Sequence, residues 1–314
     1  MSLHPKLKKI DLAPELADFK TQPAQMRAAA HGKVGELKLV FSLRDDGLSI
    51  LSDLYRVTPL LVQKALYWDE NMPNLPICKI ISVGGGILQG DRYFIDIKVE
   101  AGACAHVGSQ GANRIQQMDA NYASQYQVIE VESNGYLEYL PDFTIPYRNS
   151  RYINHSKLIV APSATALYGE MIISGRKHHH PDERFGFDLL SMSFEVVRPD
   201  GTEIFAEKQL VTAQEKTINL PAVMQGFDCF ANILCITPAD TAQRIQERFQ
   251  GVFDQQKSPR VISGVSKLPN GAGLILRVVG VESYDVRAEV RKFWKIVREE
   301  AKNRTLSDEL IWLQ

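Results

Sequence analysis

Gln125-Tyr126-Gln127-Val128-Ile129-Glu130-Val131-Glu132, closed by Ser133-Asn134-Gly135 and answered by Tyr136-Leu137-Glu138-Tyr139-Leu140, reads as strand, turn and strand. Asn-Gly supplies the positive φ that a tight turn needs, so the pair is expected to form a hairpin. The same texture extends outward in both directions. Leu37, Leu39 and Phe41 alternate with Glu36, Lys38 and Ser42, and Asp45-Asp46-Gly47 turns the chain back into Leu48 to Tyr55. Ile95, Ile97 and Val99 alternate with Asp96, Lys98 and Glu100. Met192 to Val197 and Glu203 to Lys208 flank Arg198-Pro199-Asp200-Gly201, and Val261 to Val265 and Leu274 to Val281 flank Pro269-Asn270-Gly271. Period-2 alternation with short turns predicts a mainly β, antiparallel body, not βαβ units.

Two segments break the strand pattern. Thr237 as N-cap, Pro238 at the first helical position and the stripe Ala242, Ile245, Phe249 predict a helix near 238–250. Val286, Val290, Phe293, Trp294 and Val297 share one face of a second helix near 285–302. Residues 1–32, rich in Lys, Ala, Pro and Gln with a modest helical patch from Pro14 to Phe19, read as an arm, loosely packed or ordered by a partner. Residues 33–314 then form one β-rich domain of unusual topology, with its two longer helices in the C-terminal third.

Composition narrows the function. The chain has 314 residues, 45% of them hydrophobic, with 36 basic against 37 acidic side chains. A net charge of −1 is wrong for a dedicated polyanion binder, so no nucleic acid partner is expected. No run approaches the length that spans a bilayer, and the N-terminus lacks an apolar secretion-signal core, so a cytoplasmic location is expected. Cys78, Cys104, Cys229 and Cys235 include no C-x-x-C pair and read as buried thiols.

Chemistry-bearing motifs are sparse. Gly84-Gly85-Gly86-Ile87-Leu88-Gln89-Gly90-Asp91 fails as a phosphate loop, because Asp91 and Arg92 stand where Lys and Ser or Thr are needed. It reads either as a plain bend or as glycines that aim Asp91 at a fixed point. His178-His179-His180, followed by Asp182 and Glu183, offers imidazoles to a borderline metal, with only His178 and His180 on one face of an extended chain. The alternative is an exposed polar loop. Cys104 and His106 share a strand face, as half a metal site or as structural residues. No nucleophile constellation is present, so no catalytic residue is assigned. A carboxylate-dependent hydrolase using acids such as Asp91, Asp142, Glu170 and Glu207 stays as an alternative.

The motifs in order carry more. Pro59-Leu60-Leu61-Val62-Gln63-Lys64, Gly85 to Asp91, Gln110-Gly111-Ala112-Asn113-Arg114, Leu137 to Asp142 with Ile145-Pro146, Gly175-Arg176 and Phe293 to Arg298 together resemble the urease accessory protein D family, UreD, called UreH in some systems. The resemblance runs from about Val34 to the C-terminus. It implies a non-enzymatic scaffold, a chaperone of urease metallocentre assembly, that binds apo-urease together with UreF and the GTPase UreG. Nickel, supplied by a separate nickel-delivery protein, would pass through it in transit without a tightly bound cofactor. By position, the family's path carboxylates fall on Asp91, Glu170 and Glu207, with polar lining at Asn113. A purely structural interaction module is the alternative. An absence of strong metal-ligand spacing suits a conduit, which must release what it binds.

Overall fold

The computed structural model describes residues 4–20, 33–212, 218, 223–256 and 258–307. The first strands are β1 (Val34–Leu43), β2 (Ser49–Val57), β3 (Leu60–Leu61), β4 (Ile77–Ser82), β5 (Arg92–Val99) and β6 (Cys104–Ser109). They are followed by β7 (Asn113–Ile115), β8 (Ala123–Val131), β9 (Tyr136–Tyr139), β10 (Thr144–Pro146), β11 (Arg151–Val160) and β12 (Thr165–Ile173). The last are β13 (Leu189–Val197), β14 (Glu203–Thr212), β15 (Cys229–Ile236), β16 (Val261–Lys267) and β17 (Gly273–Gly280). The helices are α1 (Pro5–Ile10), α2 (Ala239–Arg248) and α3 (Ser283–Lys302). One sheet of seven strands runs β14-β13-β11-β8-β5-β1-β2. The other, of ten, runs β16-β17-β15-β12-β9-β6-β4-β3, with β10 and β7 attached beside β12.

Three of the expected hairpins form. β1·β2, β13·β14 and β16·β17 are antiparallel pairs. The stretch from Gln125 to Leu140 does not form one, and this changes the topology. Asn134 does take a left-handed φ of 59° and Gly135 N–H donates to the Glu132 carbonyl at 2.9 Å, so the turn is real. It carries the chain from β8 in one sheet across to β9 in the other. The turns after β5 and β11 cross in the same direction and stack on it, with Gly102 N–H on the Ser133 carbonyl and Thr165 N–H on the Gly135 carbonyl. Successive crossings lay strands in parallel: β5·β8, β8·β11 and β11·β13 in one sheet, β4·β6, β6·β9 and β9·β12 in the other. The body is therefore mainly β but only partly antiparallel, because alternation reports which face a side chain takes and not which neighbour its backbone finds.

Three layers of burial follow. Ile97, Ile129, Leu158 and Val196 line up in register on the inner face of the seven-stranded sheet, opposite Leu137, Ala166, Leu234 and Ile275 of the other. Outside the ten-stranded sheet lie α2 and α3. Val286, Val290, Phe293, Trp294 and Val297 are all buried against Leu274, Leu276 and Val278, as their spacing predicts. Burial at about 1.5–3 kcal/mol per apolar side chain far outweighs the Glu282–Asp285 capping box that starts α3, worth about 1 kcal/mol. Thr237 does not cap α2, since its hydroxyl is 2.8 Å from that of Thr165. Residues 4–20 cover the outer face of the seven-stranded sheet, with Leu7, Ile10 and Leu16 packed on Phe94, Tyr122 and Ile153. The rest of the expected arm lies outside the described residues. Among the described residues no helix is long and apolar enough to cross a membrane.

Candidate functional site

A polar track runs between the sheets. In-register pairing puts Gln125 and Asn154 side by side on the inner face, with Gln127 and Ser156 in the next inward row. Facing them on the ten-stranded sheet are Tyr139, Tyr168 and Glu170. The Tyr139 hydroxyl donates to Gln127 Oε1 at 2.5 Å, Gln127 Nε2 donates to Ser156 Oγ at 2.8 Å, and Ser156 Oγ lies 2.7 Å from the Tyr168 hydroxyl. Tyr168 then donates to Glu170 Oε1 at 2.6 Å, and Asn154 Nδ2 donates to the same oxygen at 3.0 Å. The chain of bonds therefore fixes one carboxyl oxygen of Glu170. The other, Oε2, is buried and has no hydrogen-bond partner.

Glu170 belongs to the wall of a cavity of about 50 Å³, shared with Asn113, Gln127, Tyr139, Tyr168 and Asn154. Asn113, Gln125, Tyr139 and Ile87 also line a second cavity of about 40 Å³. Asn113 and Ile87 recur in a third, of about 500 Å³, walled by Ser82, Gly86, Gln110 and Arg114. Three spaces that share Asn113 thus step from a wide pocket to Glu170, the inner two with room for a few waters at most. Gly86 sits at the rim with φ 125°, and a Cβ there would run into the Arg114 carbonyl, so glycine is required.

Burial pushes the Glu170 carboxyl up to about 7, against the hydrogen bonds from Tyr168 and Asn154, and the charge of Glu207 pushes the same way. Near neutrality it exchanges readily between acid and carboxylate. Amide, hydroxyl and carboxyl oxygens, with one oxygen unclaimed, suit a hard or borderline cation held weakly.

The residues anticipated from sequence fall in different places. Asn113 and Glu170 share the inner cavity. Asp91 does not line it: Oδ1 accepts from Lys33 N–H at 3.0 Å, and Oδ2 accepts from Leu88 N–H at 2.8 Å and the Tyr93 hydroxyl at 2.7 Å. It is buried and ties the glycine loop to Tyr93, which lines the middle cavity. Glu207 stands beyond Glu170 on β14, paired with Arg277 at 2.5 Å, and also borders a groove of about 800 Å³ on the outer face. His178 is exposed and 3.5 Å from Glu282, while His180 Nδ1 accepts from Asp182 N–H at 3.2 Å. The two imidazoles thus contact different neighbours. Cys104 bonds Ser49, and His106 Nδ1 is 3.0 Å from Glu138, whose carboxylate also holds Arg298. Both are structural. Among the described residues no group of three or more His, Cys, Asp or Glu converges as a metal site.

Gln127, Asn154, Ser156, Tyr139 and Tyr168 were not anticipated. A signal was present: Gln125 and Gln127 stand in phase with Ile129 and Val131, so polar groups occupy the core-facing set of a strand.

The wider sequence agrees with what the ordered motifs suggest. The UreD urease accessory protein family matches residues 33–313. A curated relative from Methylorubrum populi, "Urease accessory protein UreD 3", is 64% identical over 312 residues, covering 99% of this chain and 100% of its own length. "Urease accessory protein UreD 2" from Methylorubrum extorquens is also 64% identical, with the same coverage. "Urease accessory protein UreD" from Yersinia pseudotuberculosis is 48% identical over 300 residues, 96% of this chain and 92% of its own. With its family match spanning nearly the whole β body and near-full-length relatives at this identity, the chain belongs to the UreD urease accessory protein family.

Proposed function

We propose that this protein conducts nickel between its two sheets toward apo-urease, as a non-catalytic member of an assembly that includes UreF and the GTPase UreG. The observation that carries the reading is the set of cavities that share Asn113, one of them lined by Glu170, whose Oε2 has no hydrogen-bond partner. A cation entering the wide pocket meets amide oxygens first. It then reaches one carboxyl group whose other oxygen is already committed, so the site has too few ligands to hold a metal tightly. Weak, successive stations are what transit needs, since each must be favourable enough to enter and easy to leave. Asp91 serves the path by holding its wall, and Glu207 supplies negative charge beyond Glu170. The histidines at 178–180 lie outside the path.

The test replaces Glu170 by Gln and Glu207 by Gln, singly and together, which keeps shape and removes charge. Urease nickel content after activation is measured beside a pull-down of this chain with its partners. Assembly should persist while nickel falls, most in the double variant. Full nickel loading with both charges gone would sink the path, and lost pull-down would make these residues structural.

A further inference from the structure

Glu170, Asn232 and Arg277 are register partners across β12, β15 and β17, on the inner face of the ten-stranded sheet. Opposite them, on the inner face of the other sheet, stand Glu207 and Gln209 of the edge strand β14. Asn232 is held at both ends of its amide: Nδ2 donates to Gln209 Oε1 at 2.9 Å, and Oδ1 accepts from Arg277 at 3.1 Å. The same guanidinium reaches across to Glu207 at 2.5 Å. Arg277 therefore bridges the two sheets at the end of the polar row that leads away from the Glu170 cavity. Its side chain is 48% exposed and that of Glu207 is 22% exposed, so this bridge stands where the row meets solvent.

We infer that Arg277 is the gate at the far mouth of the track. This rests on the nickel-path reading above. A guanidinium is always charged and cannot ligate a cation, so while it bridges Glu207 and Asn232 it puts positive charge across the route. Cationic side chains exclude cations from pores in this way. The bridge opens when another acceptor takes the guanidinium, and an acidic side chain on the receiving protein has the right chemistry. Glu207 and the Asn232 oxygen are then freed together, at the moment the receiver is in place. The closed pair keeps metal from leaking before docking.

The experiment uses the full-length chain loaded with Ni²⁺, with release followed by stopped flow into a chromogenic chelator. Arg277→Gln and Arg277→Met, the latter keeping the packed stem, should each release nickel faster by at least about tenfold, from removal of one charge near a divalent ion in a partly shielded channel. Arg277→Lys should restore most of the slow release. Thermal melting within a few degrees of the parent for either neutral variant shows that the fold persists. Parent-like release from both neutral variants, with uptake abolished in Glu170→Gln, would overturn the gate and leave the path standing. Parent-like uptake and release in Glu170→Gln as well would overturn both.

Discussion

Glu170→Gln should stabilise the protein, and by an amount that depends on pH. Burial holds the Glu170 proton to about 7 in the folded chain, against an ordinary value of 4.5. Between those values the unfolded chain has lost the proton and the folded chain keeps it, so the folded state binds more protons and its stability falls as pH rises. The loss begins near the unfolded value and is complete above the folded one. Each tenfold change in proton affinity is worth about 1.4 kcal/mol, so the total is about 3 kcal/mol. Gln at 170 keeps an oxygen for Tyr168 and Asn154 and places an amide in the polar cavity, and it cannot ionise. Urea unfolding of parent and variant is compared at pH 4.5, 7 and 8.5. The variant should match the parent within error at the lowest pH and exceed it by about 3 kcal/mol at the highest. A difference that stays flat across the three pH values would refute the idea that this carboxyl group is strained by burial.

Arg298, fully buried, pairs with Glu138 at 2.7 Å and with Asp69. Replacing it by Ala leaves two carboxylates without a cation and should cost about 3–5 kcal/mol, read as a lower melting temperature and a change in Trp294 fluorescence. Gly86→Ala meets both a positive φ and the Arg114 carbonyl, and should cost about 1–3 kcal/mol while reducing nickel delivery. Unchanged delivery would show that the rim is not part of the entrance. Ala at 178, 179 and 180 together should lower urease nickel content only modestly, because the three histidines are exposed and His178 and His180 contact different carboxylates. Near-complete loss would mean that the essential ligands lie in that loop.

What sequence could and could not show follows from what alternation encodes. The buried face is legible where alternation is clean, as at Leu37, Leu39 and Phe41, and so is the stripe that seats α3 on Leu274, Leu276 and Val278, whereas β11, β12 and β15 carry no such signal. Partners are not legible: the turn at Ser133-Asn134-Gly135 has the residues of a hairpin, but β8 and β9 both find parallel neighbours contributed by other crossings. Position in the family series led to Glu170 and Asn113, which share one cavity. It also led to Asp91, whose carboxylate is consumed by Lys33, Leu88 and Tyr93, an outcome set by backbone groups that no spacing displays. The hydrogen-bonded row of Gln127, Ser156 and Tyr168 is not visible in the sequence because each residue is ordinary alone and acquires its role from register.

Asn113 and Ile87 line all three cavities and Asn113 is the polar one of the two, so Asn113→Phe tests the path most directly. The larger, apolar ring should fill the inner spaces and remove the amide oxygen without touching a charged group. Nickel per urease active site is the measurement, taken on urease recovered in complex with the variant. A continuous route through Asn113 predicts urease that is bound but nearly free of nickel. Urease recovered with its full nickel complement would show that the metal does not travel between these sheets.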